Sequence, residues 1–438
     1  MKFFIKTFGC QMNKADSESI AAILCESGHG ESANAGEADL IIINTCNVRE
    51  HAVSRLTGHI RSIKPRARAG LKPWIAVGGC VGEMSGDELF SALPQVDILF
   101  GTKSFHRLPV ALSRLQKGES GISLVKDTEA LPAQLPYKPV DPVREWLPIS
   151  RGCDNYCSYC VVPYARGREV SLPYNNIVKN AEGAVLKGAR EITLLGQNVN
   201  SYGNDRGEKD AFAGLLRRLD RIPDLKRLRF LTSHPKDLSD ATIEAIAECA
   251  SVCEYVHLPL QAGSDRILDL MNRSYTLDGY LDLIAKLRRA VPGVALSTDI
   301  IVGFPGETEE EFEMTLSAVK AADYDAAYTF VYSPRAGTKA STMPDHVSRV
   351  EKEARLKGLI ALQSKISLKK NTRLIGETLE VFIERPSRRG GSRQAGRTRT
   401  NKMVNCLAAE SLTNRFVTVK IDQASEASLK GTVCGLIE

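Results

Sequence analysis

The stretch Trp146-Leu147-Pro148-Ile149-Ser150-Arg151-Gly152-Cys153-Asp154-Asn155-Tyr156-Cys157-Ser158-Tyr159-Cys160 decides how the chain is read. Residues 146–150 read as a strand. A loop follows at once, with Cys153, Cys157 and Cys160 in C-x3-C-x2-C order. Three thiolates at that spacing can grip one face of a [4Fe–4S] cube. Full ligation of such a cube takes four cysteines, so one iron is left open for another ligand. The alternative is a structural zinc loop, which usually needs a second Cys or His pair nearby. Residues 140–175 hold no His and no further Cys.

Downstream of the loop the strand pattern continues. Residues 191–195, 227–231, 255–258, 295–302 and 327–331 are strand-like, and amphipathic stretches such as 176–186, 238–248, 277–290 and 307–321 separate them. Six β/α units predict a barrel or part of one, since a full barrel of this type has eight. Residues 351–370 read as a closing helix, so this segment spans 146–370. Before it, residues 131–145 carry Pro132, Pro136, Pro139 and Pro142. Prolines at that density mark a linker.

Upstream, residues 1–130 read as an open α/β domain. Residues 3–7, 40–44 and 75–77 are short apolar runs that suit buried parallel strands. Residues 16–28 read as a helix, with Asp16 as N-cap, Ile20, Ile23 and Leu24 on one face and Gly28 as the stop. Residues 48–63 form the next. Cys10, Cys46 and Cys80 each fall just past the end of a predicted strand. In open parallel sheets those ends face one crevice. The three could therefore converge on a second cluster, again with an open iron. The alternative is three unrelated buried thiols, which are common in cores. The remaining five of the 11 cysteines, Cys25, Cys249, Cys253, Cys406 and Cys434, read as structural.

The tail, residues 371–438, alternates in short runs at 378–383, 402–406, 415–421 and 432–436, which suggests a small β-barrel. It also carries the charge. Lys+Arg total 58 against 52 Asp+Glu, a net +6, and residues 384–402 alone hold the whole excess: Arg385, Arg388, Arg389, Arg393, Arg397, Arg399 and Lys402 against Glu384. Cations on a small barrel suit RNA phosphates; the alternative is a solvated loop. At 43% hydrophobic and 25% charged residues the chain is neither disordered nor fibrous. No signal peptide or apolar run of membrane-spanning length is visible, so a cytoplasmic, membrane-free protein is expected. In a reducing compartment many cysteines point to metal or redox chemistry.

These residues resemble the radical S-adenosylmethionine enzymes. Within them Thr7-Phe8-Gly9-Cys10-Gln11-Met12-Asn13, Asn44-Thr45-Cys46 and Gly78-Gly79-Cys80 are similar to the methylthiotransferases. Leu258-Pro259-Leu260-Gln261 is a further match, and Gln197-Asn198-Val199-Asn200 and Thr232-Ser233-His234-Pro235 favour the type that acts on dimethylallyladenosine in tRNA. Gly396-Arg397-Thr398, Asn401 and Val404-Asn405 resemble a TRAM module, an OB-like RNA-binding barrel. Val81-Gly82-Glu83 after Cys80, and His51, depart from the usual pattern without removing a ligand.

The resemblance implies an N-terminal open α/β domain, a central partial (β/α)6 barrel and a C-terminal OB-like barrel. It implies two [4Fe–4S] clusters, one on Cys10, Cys46 and Cys80 and one on Cys153, Cys157 and Cys160, with S-adenosyl-L-methionine as cofactor. Tyr159 is then expected near the adenine. Gln197, Ser233, Gln261 and Asp299, read as lying at the C-terminal ends of strands where barrel sites form, are expected to bind the cofactor; ordinary loop hydrogen bonding is the alternative. His234, before Pro235, should hold its loop rather than a metal. The implied reaction is radical methylthiolation of carbon 2 of N6-dimethylallyladenosine at position 37 of tRNA, beside the anticodon. One electron cleaves the cofactor, the resulting radical takes a hydrogen, sulfur joins the carbon and a second cofactor molecule supplies the methyl. The implied partners are the anticodon stem-loop, held by Arg388, Arg389, Arg393, Arg397, Arg399 and Lys402, and an electron donor such as a flavodoxin or ferredoxin. The competing readings are another methylthiotransferase target (N6-threonylcarbamoyladenosine or a ribosomal protein) and a non-enzymatic iron–sulfur RNA-binding protein.

Overall fold

The structure, a computed structural model, describes residues 1–46, 50–63, 73–125, 131–132, 135–136, 141, 143–387, 393–408 and 410–437, with backbone alone for 50–55. Pro139 and Pro142 of the expected linker, and Arg388 and Arg389 of the basic stretch, lie outside the described residues. Two compact units emerge. The first comprises Met1–Asn155, Val161–Gly188 and Thr193–Gln197, and the second Tyr156–Cys160, Ala189–Ile192 and Asn198–Glu438.

In the first unit, β1 (Lys2–Phe8), β2 (Gly30–Glu31), β3 (Leu40–Thr45), β4 (Trp74–Gly79), β5 (Ile98–Leu99) and β6 (Ile122–Ser123) form one sheet of order β2-β1-β3-β4-β5-β6. Every neighbouring pair is parallel. The central strand β3 is buried at all its positions because apolar layers cover both faces. Phe3, Ile20, Leu24, Ile42 and Leu108 build one layer. Ile41, Ile43, Leu56, Ile75 and Val77 build the other. The first helix runs Gln11–Glu26, five residues ahead of the expected start, and Cys10 rather than Asp16 occupies its N-cap. Asn13 and Ser17, turn-formers by composition, are buried in it because Asn44 of β3 satisfies them. Past the helix, Gly28 takes φ +82°, as expected of a stop residue. The second helix spans Glu50–Ser62.

Three more strands follow: β7 (Arg144–Pro148), β8 (Ser150–Arg151) and β9 (Val170–Ser171). The antiparallel pairing of β8 with β9 brackets the cysteine loop at its base, a closure with no sequence signature. Then come β10 (Glu191–Leu195), β11 (Arg227–Phe230), β12 (Tyr255–His257), β13 (Ala295–Val302) and β14 (Ala326–Val331). They form two sheets, β11-β10-β7 and β12-β13-β14. A single bridge, Leu228 to Val252, joins β11 to the chain just before β12. This is the expected six-stranded partial barrel. Its helices Asp240–Glu248, Leu277–Ala290, Glu309–Ala322 and Arg349–Thr372 are capped by side chains that accept the first orphan N–H groups: Ser239, Thr276, Thr308 and Ser348. The closing helix is Arg349–Thr372.

The tail is a closed barrel of β15 (Thr378–Pro386), β16 (Arg393–Thr398), β17 (Met403–Leu407), β18 (Phe416–Ala424) and β19 (Leu429–Ile437), in order β15-β16-β17-β19-β18. Val381, Ile383, Val404, Val417, Val419 and Leu429 fill it. Four of these strands are expected from the sequence. The fifth, β16, reads as a charged stretch, and becomes a strand because β15, through a ladder bulged between Ile383 and Arg385, and β17 flank it on both sides.

Candidate functional site

Strand register brings the first three cysteines together. Phe8 pairs with Thr45, and Thr45 with Gly79, across three adjacent parallel strands. Cys46 and Cys80 lie one residue beyond that line and Cys10 two beyond it. The Cys46 N–H donates to Phe8 O at 2.8 Å. A Cβ on Gly9 would fall 3.0 Å from the Cys46 Cβ. Gly79, at φ +83°, has no room for a side chain: its Cβ would meet Asn44 Oδ1 at 2.3 Å. Asn44 in turn donates to Asn13 O at 2.8 Å and Ser17 Oγ at 2.9 Å, which fixes the loop of Cys10 against β3.

A buried cation faces these thiols. Arg166, on the short helix Val162–Arg166 that follows Cys160, donates to Asp16 Oδ2 at 2.9 Å. Burial works against its charge, but Asp16, Cys80 and Cys10 all favour the protonated guanidinium. The Cys80 thiol is brought down to about 6 by its hydrogen bond with Cys46 first; burial opposes this, and Arg166 adds to it. A thiol this acidic is thiolate at neutral pH, the form that binds iron. Among the described residues no three Cys, His, Asp or Glu side chains are arranged to hold a single metal ion. A four-iron cube asks for something different, because each thiolate takes its own iron. The acidic thiol, its two companions and the facing cation fit such a cube.

In the second cysteine loop, Cys153 belongs to the first unit. Its N–H donates to Gly167 O at 3.1 Å, and Gly152 (φ +72°) passes so close to Arg168 O that only glycine fits. Cys157 and Cys160 belong to the second unit, where the Cys160 N–H closes a turn onto Cys157 O at 2.9 Å. Ser158 pins that turn: its Oγ donates to Leu270 O at 2.7 Å and its N–H to Met271 O at 3.0 Å. A residue with no sequence signature stands beside it: Arg273 donates to Cys157 Sγ at 3.4 Å, to Pro259 O at 3.1 Å and to Tyr275 Oη at 2.9 Å. It lies 116 positions from Cys157 in the chain, so no spacing could have flagged it. Tyr159 packs beside Phe304 and Tyr332. Burial of its hydroxyl, with Arg273 opposing, lifts it well above the usual phenol range.

Of the residues expected to bind the cofactor, Gln197, Ser233 and Gln261 each keep a buried side-chain oxygen without a hydrogen-bond partner among the described residues. An orphaned buried polar atom costs about 1–3 kcal/mol. Each therefore fits a ligand that brings its own donors. Gln261 also holds φ +73°, a strained conformation for a residue with a side chain, stapled by its N–H to Asp299 O and its carbonyl to the Ile301 N–H. Asp299 differs from expectation. It sits within β13, three residues before its end, and its carboxylate meets His257 Nε2 at 3.3 Å. His257 Nδ1 lies 2.8 Å from Ser297 Oγ, which lies 2.6 Å from Tyr255 Oη. His257 was not singled out from the sequence. His234 behaves as expected: its Nδ1 accepts the Lys236 N–H at 3.2 Å and caps the turn Pro235–Asp237.

The basic residues of the tail divide. Arg393 is exposed. Three others are occupied inside the second unit, at the N-terminal ends of the barrel strands. Arg399 grips both oxygens of Glu254 at 2.8 and 2.9 Å and the Val252 carbonyl at 2.7 Å. Lys402 donates to Asp325 and Asn371 at 2.7 and 2.9 Å. Arg397 pairs with Glu384 at 3.3 Å and with Asn401. From the other side, the fully buried Arg227 donates to Arg397 O and Glu380, and Arg229 to the carbonyls of Thr398 and Arg399. The side chains of Arg399 and Lys402 thus dock the small barrel, which differs from their expected role as free phosphate contacts, whereas the Arg397 side chain stays within the tail and remains partly exposed.

Fold and cysteine geometry together define a radical S-adenosylmethionine protein with a TRAM tail. Residues 147–319 match the Radical SAM superfamily, residues 372–434 the TRAM domain, and residues 2–101 an uncharacterized protein family, UPF0004. The radical S-adenosylmethionine methyltransferase TsrM from Kitasatospora setae, solved with cobalamin and a [4Fe-4S] cluster, shares the fold at a TM-score of 0.59 and 15% identity, over 78% of this chain and 77% of that one. Much nearer in sequence is a tRNA-2-methylthio-N(6)-dimethylallyladenosine synthase from Thermoanaerobacter pseudethanolicus, 44% identical over 99% of this chain and 93% of that protein. The like-named protein of Moorella thermoacetica is 44% identical over 98% of this chain and 97% of its own length. The chain belongs to the family of these radical S-adenosylmethionine methylthiotransferases.

Proposed function

We propose that this chain methylthiolates carbon 2 of N6-dimethylallyladenosine at position 37 of tRNA, beside the anticodon. The observation that carries the reading is the convergence of Cys10, Cys46 and Cys80 past three registered strand ends, in a chain that also holds the C-x3-C-x2-C loop. Identity of 44% across almost the whole length to synthases of that name supports the substrate. The target carbon is an unactivated aromatic C–H with no handle for acid–base chemistry, which is work for a radical cofactor. When bound, a cluster on Cys153, Cys157 and Cys160 supplies the electron that cleaves S-adenosylmethionine, and a cluster on Cys10, Cys46 and Cys80 supplies sulfur.

The chain's own residues orient and shield. Gln197, Ser233 and Gln261 offer unpartnered oxygens to the cofactor, and Tyr159 offers a ring beside the cysteine loop. Asp299 serves through the His257 contact rather than at a strand end. Arg393, with Arg388 and Arg389 beyond the described residues, is left for the RNA backbone together with the partly exposed Arg397, while Arg399 and Lys402 hold the barrel that presents them. The domain division of the proposal is 1–130 for the N-terminal cluster, a linker at 131–145, 146–370 for the radical barrel and 371–438 for the RNA module. A flavodoxin- or ferredoxin-like donor and a cytoplasmic setting complete it. Among the described residues no helix is long and apolar enough to cross a membrane.

The test is the 2-methylthio content of tRNA nucleosides from a deletion strain and from the same strain carrying the gene. Loss and return of the 2-methylthio-N6-dimethylallyladenosine signal are expected. An unchanged signal would overturn the reading, and a matching loss from a ribosomal protein would replace it.

A further inference from the structure

We propose that Arg166 is a positioning residue that supplies the counter-charge for the cluster held by Cys10, Cys46 and Cys80, with Asp16 as its moderator, and so sets that cluster's reduction potential. The inference rests on the ligand assignment made above and goes beyond it.

Three observations carry it. First, the Arg166 side chain is only 7% exposed, and its charge is held by Asp16 and favoured by Cys80 and Cys10. The helix that ends at Arg166 packs on the helix Cys80–Ser85, and both Cys80 and Cys10 interact with the guanidinium. Second, the guanidinium has two kinds of partner. Asp16 pairs with it at 2.9 Å, and Cys80 and Cys10 favour its charge as well. A buried arginine serving only the fold needs just its carboxylate; this one also stands beside two candidate cluster ligands, where a cluster of net negative charge would share it. Third, the Arg166 segment is fixed from several sides. Thr102 Oγ1 donates to Ala165 O at 2.5 Å, and Gly167, the next residue after Arg166, accepts the Cys153 N–H at 3.1 Å. One turn of chain therefore touches the backbone of a ligand of one cluster and aims a cation at the ligands of the other.

The physical consequence has a sign. Reduction adds an electron, so it makes a cluster more negative, and a nearby buried cation stabilises the reduced form. Hydrogen bonds, burial and net charge are the levers by which a protein tunes such a potential. Removing the cation favours the oxidised state and lowers the potential. Removing Asp16 frees the cation and raises it.

The experiment uses the full chain with Cys153, Cys157 and Cys160 replaced by alanine, so that only the N-terminal cluster remains. Its midpoint potential is read by a redox titration followed by electron paramagnetic resonance, alone and with Arg166→Met, Arg166→Lys or Asp16→Asn added. The expected order is Met below Lys, Lys close to the parent, and Asp16→Asn above the parent. A merely structural Arg166 would move the melting temperature and leave the potential in place. If Arg166→Met arrives without its cluster, Arg166→Lys and Asp16→Asn still decide: an unmoved potential in Asp16→Asn, or a lowered one, overturns the proposal. An absence of iron from the triple-alanine parent would instead refute the ligand assignment, a distinct result that takes this inference down with it.

Discussion

His234 shows how much one buried side chain can decide. It is 4% exposed, and burial first, then Arg273 and Lys236, push its pKa down to about 2. Its ring is therefore neutral in the folded protein, with Nδ1 accepting the Lys236 N–H. In the unfolded chain a histidine titrates near 6.5. The folded value lies below the unfolded one, so stability is full above about pH 6.5 and falls as the unfolded state takes up the proton. One pH unit below the unfolded pKa is worth about 1.4 kcal/mol, so roughly 2 kcal/mol is lost by pH 5. His234→Asn, which keeps a side-chain acceptor, should flatten the melting temperature between pH 8 and pH 5 and leave iron content unchanged. A variant that loses stability on acidification as steeply as the parent would contradict the burial argument. That His234 holds a loop was readable from its Pro235 neighbour. The identity of its acidity-setting neighbour, Arg273, was not, since 39 residues of sequence separate them and only the fold brings them together.

At the scale of elements, strands that are buried for local reasons were legible and strands made by their neighbours were not. β3 is a run of Leu, Ile and Asn-Thr with every position buried, and β13 agrees with its expected bounds at both ends. β16 reads Arg-Gln-Ala-Gly-Arg-Thr, with low intrinsic strand preference, and exists because barrel closure supplies two flanking strands. The cations in and after β16 likewise look alike in sequence and differ in what the fold gives them to bind. In the structure the turn after β16 is an anchor: Arg399 to Glu254, Lys402 to Asp325, with Arg227 and Arg229 binding its carbonyls from below. Arg399→Ala should cost about 1–2 kcal/mol of stability, as expected for a lost charge-assisted hydrogen-bonded pair. Its anticodon stem-loop affinity should keep the parent's salt dependence. Arg393→Ala should do the reverse, leaving the melting temperature alone and lowering the slope of log K against log salt by about 1. Thermal melts and binding isotherms at several salt concentrations check both. Equal salt slopes for Arg393→Ala and the parent would remove Arg393 from the interface.

For the molecule as a whole, the cysteines carry the division of labour. The loop triad could be read from spacing alone, because one loop holds it. The N-terminal triad needed the strand ends, and what makes it a site, the register Phe8–Thr45–Gly79, is a property of pairing that no single stretch contains. The two cations beside the triads, Arg166 and Arg273, have no sequence signature for the same reason: their partners are far away in the chain. If the triads are independent cluster sites, their losses must be separable. Alanine at Cys10, Cys46 and Cys80 should halve iron and sulfide per chain and abolish methylthiolation, while reductive cleavage of S-adenosylmethionine to 5′-deoxyadenosine continues. Alanine at Cys153, Cys157 and Cys160 should halve iron and sulfide likewise but end the cleavage. Iron analysis, Mössbauer spectra and chromatography of the adenosine product follow each arm. Cleavage that disappears in both variants would mean that the N-terminal cysteines also maintain the radical site. Iron that stays at the parent level in the N-terminal variant would mean that Cys10, Cys46 and Cys80, one exposed and two buried, are gathered by register but hold nothing.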